Sequence, residues 1–75
     1  MNVIFRQVLV ISTEPEQYIT TRIILKNDRY LVQRRKHNGK KYTTLSSHKT
    51  KHDAIKSLQE YSYNIAMQRL MAMED

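Results

Sequence analysis

The sequence predicts an α+β domain, a four-stranded antiparallel meander followed by one long C-terminal helix packed on one face (ββββα). Three observations lead there. Runs rich in Val, Ile, Leu, Thr and Tyr fill the first part of the chain, and these residues fit a pleated, half-buried surface. The runs are separated by Asn27-Asp28 and Asn38-Gly39, dipeptides that tolerate the positive φ of tight hairpin turns. Beyond Thr50 the apolar period lengthens to that of a helix, with neither Gly nor Pro to interrupt it.

Strand one is expected over 3–12, "VIFRQVLVIS". It ends at "TEPEQ", which carries the sole proline as a turn signal. Strand two follows over 18–26, strand three over 29–36 and strand four over 41–47. Thr50 followed by Asp53 resembles a capping box with Asp in place of Glu, which starts the helix at Lys51 and carries it to Met73. Along it Ala54, Leu58, Tyr61 and Ile65 form one stripe, widened by Ile55, Ser62 and Ala66. Such a helix is about 33 Å long, whereas strands of six or seven residues reach only about 20 to 23 Å. Its last two turns are therefore expected to overhang the sheet.

The chain of 75 residues reads as a single domain, 1–75, at the small end of what buries an adequate core unaided. It has no cysteine, so no disulfide staples it. The apolar run Val3 to Ile11 is broken by Arg6 and Gln7 and lacks both a cationic leader and a small-residue cleavage site. The expectation is a cytoplasmic protein with no membrane span.

Charge is the informative feature. Between Arg29 and His52 lie eight Lys or Arg residues and no acid, while the rest of the chain comes to −2, which leaves the formal net charge at +6. A basic domain of this kind favours a polyanionic partner, most often nucleic acid. If both Asn27-Asp28 and Asn38-Gly39 are two-residue loops, Ile23 faces Val32, Val32 faces Leu45 and Leu25 faces Tyr30, and this face receives the helix. The other face then places Arg22 beside Gln33 and Thr44, and Thr20 beside Arg35 and Tyr42. Lys36, Lys40, Lys41, Lys49 and Lys51 rim it, with Arg34 in the same basic run. Lysines attract phosphates, while Arg and Gln offer bidentate contacts to purine edges.

The stretch "RYLVQRRKHNGKKYTTLSSHKTKHDAIKSL" resembles the arm-type DNA-binding domain of phage and transposon integrases, in which a three-stranded antiparallel sheet precedes a helix. It covers about 30 residues: strand, basic turn with Gly-Lys, strand, and "KTKHDAIKSL" at the helix start. The resemblance implies that the exposed sheet face enters the DNA major groove, through Arg22, Gln33, Arg35, Tyr42 and Thr44. Departures from that family stand beside it. Strand one is extra, and Ser46, Ser47 and His48 occupy positions where that family often has an aromatic residue and a glycine. With no catalytic domain following, the resemblance implies a stand-alone binder.

Other readings apply to the same residues. The Arg34 to Lys41 charges also serve to solvate a hairpin tip and discourage edge aggregation. Tyr42 beside Arg35 also reads as a cross-strand pair without a ligand. His37, His48 and His52 share no settled face and have only Asp53 close in sequence, so no metal or cofactor is expected. No Cys nucleophile is present, Ser46 and Ser47 lack a glycine-framed elbow, and Glu14, Glu16 and Glu60 form no acid-base pair. The sequence does not read as an enzyme.

Met67, Leu70, Met71 and Met73 cluster at the helix end. They either close the core or form an adaptable protein-docking strip, for a homodimer or for another protein. The resulting expectation is a non-catalytic nucleic-acid-binding protein, DNA preferred over RNA. The alternative is a small phage-type modulator that binds a host protein through the helix end and the basic face.

Overall fold

The computed structural model describes residues 2–72. Four strands, β1 (Asn2–Thr13), β2 (Glu16–Lys26), β3 (Arg29–Arg35) and β4 (Thr43–His48), form one antiparallel sheet in sequential order, and α1 (Lys51–Ala72) packs across one face. The Cα trace measures 45 × 24 × 14 Å, an elongated and thin body. Among the described residues no helix is long and apolar enough to cross a membrane.

The first two hairpins are tight. β1 and β2 extend beyond the expected 3–12 and 18–26 until Thr13 pairs with Glu16, leaving only Glu14 and the cis-linked Pro15 between them. At the second turn Asn27 (φ 51°) and Asp28 (φ 61°) both take the left-handed conformation, which a two-residue type I′ loop requires. The pairs Leu25 with Tyr30, Ile23 with Val32, Arg22 with Gln33 and Thr20 with Arg35 follow from it as the sequence predicts.

The third connection differs from expectation. Asn38 has φ 61° but Gly39 is not left-handed, so the dipeptide does not make a type I′ loop. The chain instead reverses through Lys36–Gly39, where the Gly39 N–H donates to the Lys36 carbonyl at 2.8 Å. Glycine suits this close approach, since a Cβ at position 39 would lie 3.0 Å from that same oxygen and push the turn apart by a few tenths of an ångström. The whole connection spans residues 36–42, and β4 starts at Thr43 instead of residue 41. A bulge between Val32 and Gln33 then shifts the register by one, so Gln33 still faces Thr44 but Val32 faces Ser46. Leu45, expected opposite Val32 under the helix, is left 39% exposed. The extra residue of a bulge is unpaired, which is why the slip moves Leu45 out of the core without exchanging the faces of β3.

The core is small. Ile23, Val32, Ala54 and Leu58 are buried together, with Ile4, Tyr30 and Ile55 packed against them. Each large aliphatic side chain buried this way contributes about 1.5 to 3 kcal/mol. The helix begins as its cap predicts, with the Asp53 N–H donating to Thr50 Oγ1 at 3.1 Å. It then crosses the sheet obliquely: Ser57 meets Ser46 of β4 (3.1 Å), Ser62 donates to Gln7 of β1 (3.0 Å), and Arg69 reaches the Val10 carbonyl (3.4 Å). The expected overhang does not occur, because β1 runs for 12 residues and its far half, from Leu9 onward, lies against the helix end at Ala66, Arg69 and Ala72. The helix is described to Ala72, and Met73 lies outside the described residues.

Candidate nucleic-acid interface

The face opposite the helix carries a connected polar row. Arg22 on β2 donates through Nε to Gln33 Oε1 (2.8 Å), and Gln33 Nε2 donates to Thr44 Oγ1 (3.0 Å). β-pairing sets these three residues side by side on adjacent strands, so their order follows from register alone. Tyr42, just before β4, folds back over the row and places its ring 3.6 Å from the Arg22 guanidinium carbon. Arg35 approaches the same ring at 5.3 Å. Tyr42 is thus not the ladder partner of Arg35 that a two-residue loop predicts, since pairing ends at Arg34 with Thr43. It comes to the arginines through the longer loop, and each such cation–π contact is worth about 0.5 to 2 kcal/mol.

Gln33 is only 8% exposed and both ends of its amide are engaged. It therefore orients Arg22 rather than presenting an edge of its own. With Nε spent on Gln33, the nitrogens that Arg22 has left for a ligand are its terminal pair. Beside the row, a recess of about 400 Å³ is lined by Arg22, Ile24, Lys26, Leu31, Gln33 and Thr44. Ile24 and Leu31 are its aliphatic lining, and Ile24 is 3% exposed although α1 packs on the other face.

The lysines divide into two groups. Lys36, Lys40 and Lys41 are exposed on the 36–42 loop, whereas Lys49 and Lys51 are exposed at the start of α1. β4 runs back from the loop to His48, which pairs with Tyr30, so the groups lie at opposite ends of strands about 20 Å long. Arg29 joins the second end and is tied to Ser47 through Nε to Oγ (2.7 Å) and Nη2 to the carbonyl (3.2 Å). Arg34 belongs to neither group. It lies on the helix side, where Nη1 donates to the Tyr61 hydroxyl at 3.1 Å.

The sequence did not single out Tyr18 and His37 as neighbours. The Tyr18 N–H donates to His37 Nδ1 (3.2 Å) and their rings lie 5.6 Å apart, fastening the basic loop to β2. No local pattern announces this, because the two residues are 19 positions apart. The Tyr18 hydroxyl donates to the Glu16 carboxylate, which, with a smaller effect of desolvation, raises the pKa of this tyrosine above its ordinary value. At the helix end Met67, Leu70 and Met71 are 38%, 56% and 67% exposed.

No family model, curated protein or solved structure matches this chain.

Proposed function

We propose that this domain binds nucleic acid without catalysis, DNA in preference to RNA, through the open sheet face and the 36–42 loop. One observation carries the reading: the Arg22 guanidinium is held against Tyr42 and Gln33 on the sheet face opposite α1. An arginine fixed in advance loses less freedom when it meets a base edge or a phosphate. Lysines at both ends of the strands supply the phosphate contacts that orient a duplex. The preference for DNA rests on groove shape, since the B-form major groove admits a β-ribbon while that of A-form RNA is too narrow for side chains to read. It also rests on the resemblance of residues 29–58, from β3 into the first part of α1, to integrase arm-type domains. That likeness is the ground for reading the chain as a phage or mobile-element protein, with β1 as an addition.

Fluorescence anisotropy of a labelled duplex, titrated at several salt concentrations, tests the proposal. Affinity should fall log-linearly with salt as counterions are released. A flat salt response, or no binding at low salt, refutes it.

A second reading is favoured by the exposed strip Met67, Leu70 and Met71. Flexible apolar side chains on a helix end fit a protein-docking site, as a modulator of a host protein would need. Capture of such a protein by the wild-type chain, insensitive to salt and lost on Leu70→Asp with Met71→Asp, supports it.

A further inference from the structure

β1 is an edge strand of 12 residues with apolar side chains open on both sides: Val3, Val8 and Val10 on one, Phe5 on the other, all between 37% and 55% exposed. The hydrogen bonds show which of its backbone groups are free. Tyr18 sends its N–H toward β3, to His37, so the groups of its β1 partner Val10 point outward as well. Arg69 indeed meets the Val10 carbonyl from outside. Pairing from Phe5 to Val10 is unbroken, so alternation turns the N–H and C=O of Val8 and Arg6 outward too. Those of Phe5, Gln7 and Leu9 turn inward to β2.

We infer that this edge pairs with the same edge of a second copy, about a two-fold axis through Gln7, to give a continuous eight-stranded sheet. In this arrangement Arg6 lies opposite Val8 of the second copy, and Val8 opposite its Arg6. The outward N–H and C=O groups of both residues are then satisfied by four backbone hydrogen bonds. Phe5 meets Leu9 of the second copy, beside a cavity of about 430 Å³ that Leu9, Ala66 and Leu70 help to line. A two-fold operation makes this contact twice.

Charge fits the same axis. The β1–β2 tip carries Glu14 and Glu16, while the other end of β1 lies beside Lys26 and the turn to Arg29, which keeps a net charge of +1 once Asp28 in that turn is counted against Lys26 and Arg29. Antiparallel pairing puts the acidic tip of each copy next to the basic end of the other. Arg6 faces a valine and not its own symmetry mate, so no like charges are opposed at the centre. Bulges flank the regular stretch on both sides, and Arg69 occupies the next outward carbonyl. They limit the length of the new ladder, and because a two-fold contact uses the β1 edge of both copies, it closes at two through this edge. The opposite edge, β4, offers only six residues, all but Leu45 being Thr, Ser or His.

The chain has no cysteine, which makes single-cysteine variants clean probes. On the axis, Gln7→Cys would face its own copy in a non-hydrogen-bonded pair with Cα atoms about 4.5 Å apart, within disulfide reach. Mild oxidation should convert most of it to a covalent dimer on a non-reducing gel, while Met71→Cys stays monomeric. Val8→Pro removes only an outward N–H. It should halve the mass seen by light scattering while the circular dichroism stays that of the wild type. A wild-type chain that remains monomeric at high concentration overturns the proposal, as does cross-linking through Met71→Cys in place of Gln7→Cys.

Discussion

The guanidinium of Arg22 lies 3.6 Å from the centre of the Tyr42 ring, and its Nε is bonded at 2.8 Å to Gln33. One side chain is thus held from two directions, by a π-face and by an amide. The arrangement joins a strand residue to a loop residue 20 positions away.

Removing the ring should loosen that arginine. Tyr42→Ala is expected to lower duplex affinity several-fold and to cost about 0.5 to 2 kcal/mol of stability. Tyr42→Phe, which keeps the ring, should retain most of both. Anisotropy titration and urea denaturation of the two variants provide the comparison.

Reversing charge at the basic loop, Arg35→Glu with Lys40→Glu, should abolish nucleic-acid binding without unfolding the domain. Lys40 is exposed, and Arg35, half-buried, gives up its contact with Tyr42, so stability should fall by about 0.5 to 2 kcal/mol while phosphate attraction is lost. A gel-shift titration at low salt decides, and unchanged affinity would reject the basic loop as the binding element.

Gln33 should act through Arg22. Gln33→Ala leaves the half-buried Arg22 Nε without its partner, an expected stability cost of about 1 kcal/mol, and should blunt discrimination between specific and random duplexes. Arg35→Ala should also reduce discrimination, at about 1 to 3 kcal/mol for a bidentate contact, whereas Lys49→Ala should weaken all duplexes alike. Equal losses on specific and random DNA for Gln33→Ala and Arg35→Ala would mean that the face does not read sequence.

The core leaves little margin. Leu58 is 2% exposed and is one of four buried residues in the central cluster. Leu58→Ala should cost about 2 to 5 kcal/mol, a large share of the about 4 to 11 kcal/mol that a domain of this size holds. Thermal denaturation by circular dichroism reads the effect directly, and a shift of only a degree or two would contradict the packing described.

What the sequence determined by itself is local. Asn27-Asp28 specifies a type I′ turn through two adjacent residues that accept positive φ, and that turn sets every pair between β2 and β3, including Arg22 with Gln33. Thr50 with Asp53 marks the helix start through one bond three residues long. The spacing of Ala54 and Leu58 identifies the buried stripe, because an i, i+4 pair lies on one face of a helix whatever it packs against.

Tertiary structure decided the rest. Asn38-Gly39 resembles the other turn signal, yet Gly39 is not left-handed. The loop around it is anchored by the Tyr18 contact to His37, a long-range bond with no local signature. The bulge that moves Leu45 outward depends on how β4 meets both β3 and the helix, where Ser46 bonds Ser57. Arg34 and Arg35 are adjacent and chemically alike, but the pleat sends one to Tyr61 under the helix and the other toward Tyr42. A run of charge in a sequence has no sides, and a strand has two, so only the folded sheet separates the arginine that braces the helix from the one left on the open face.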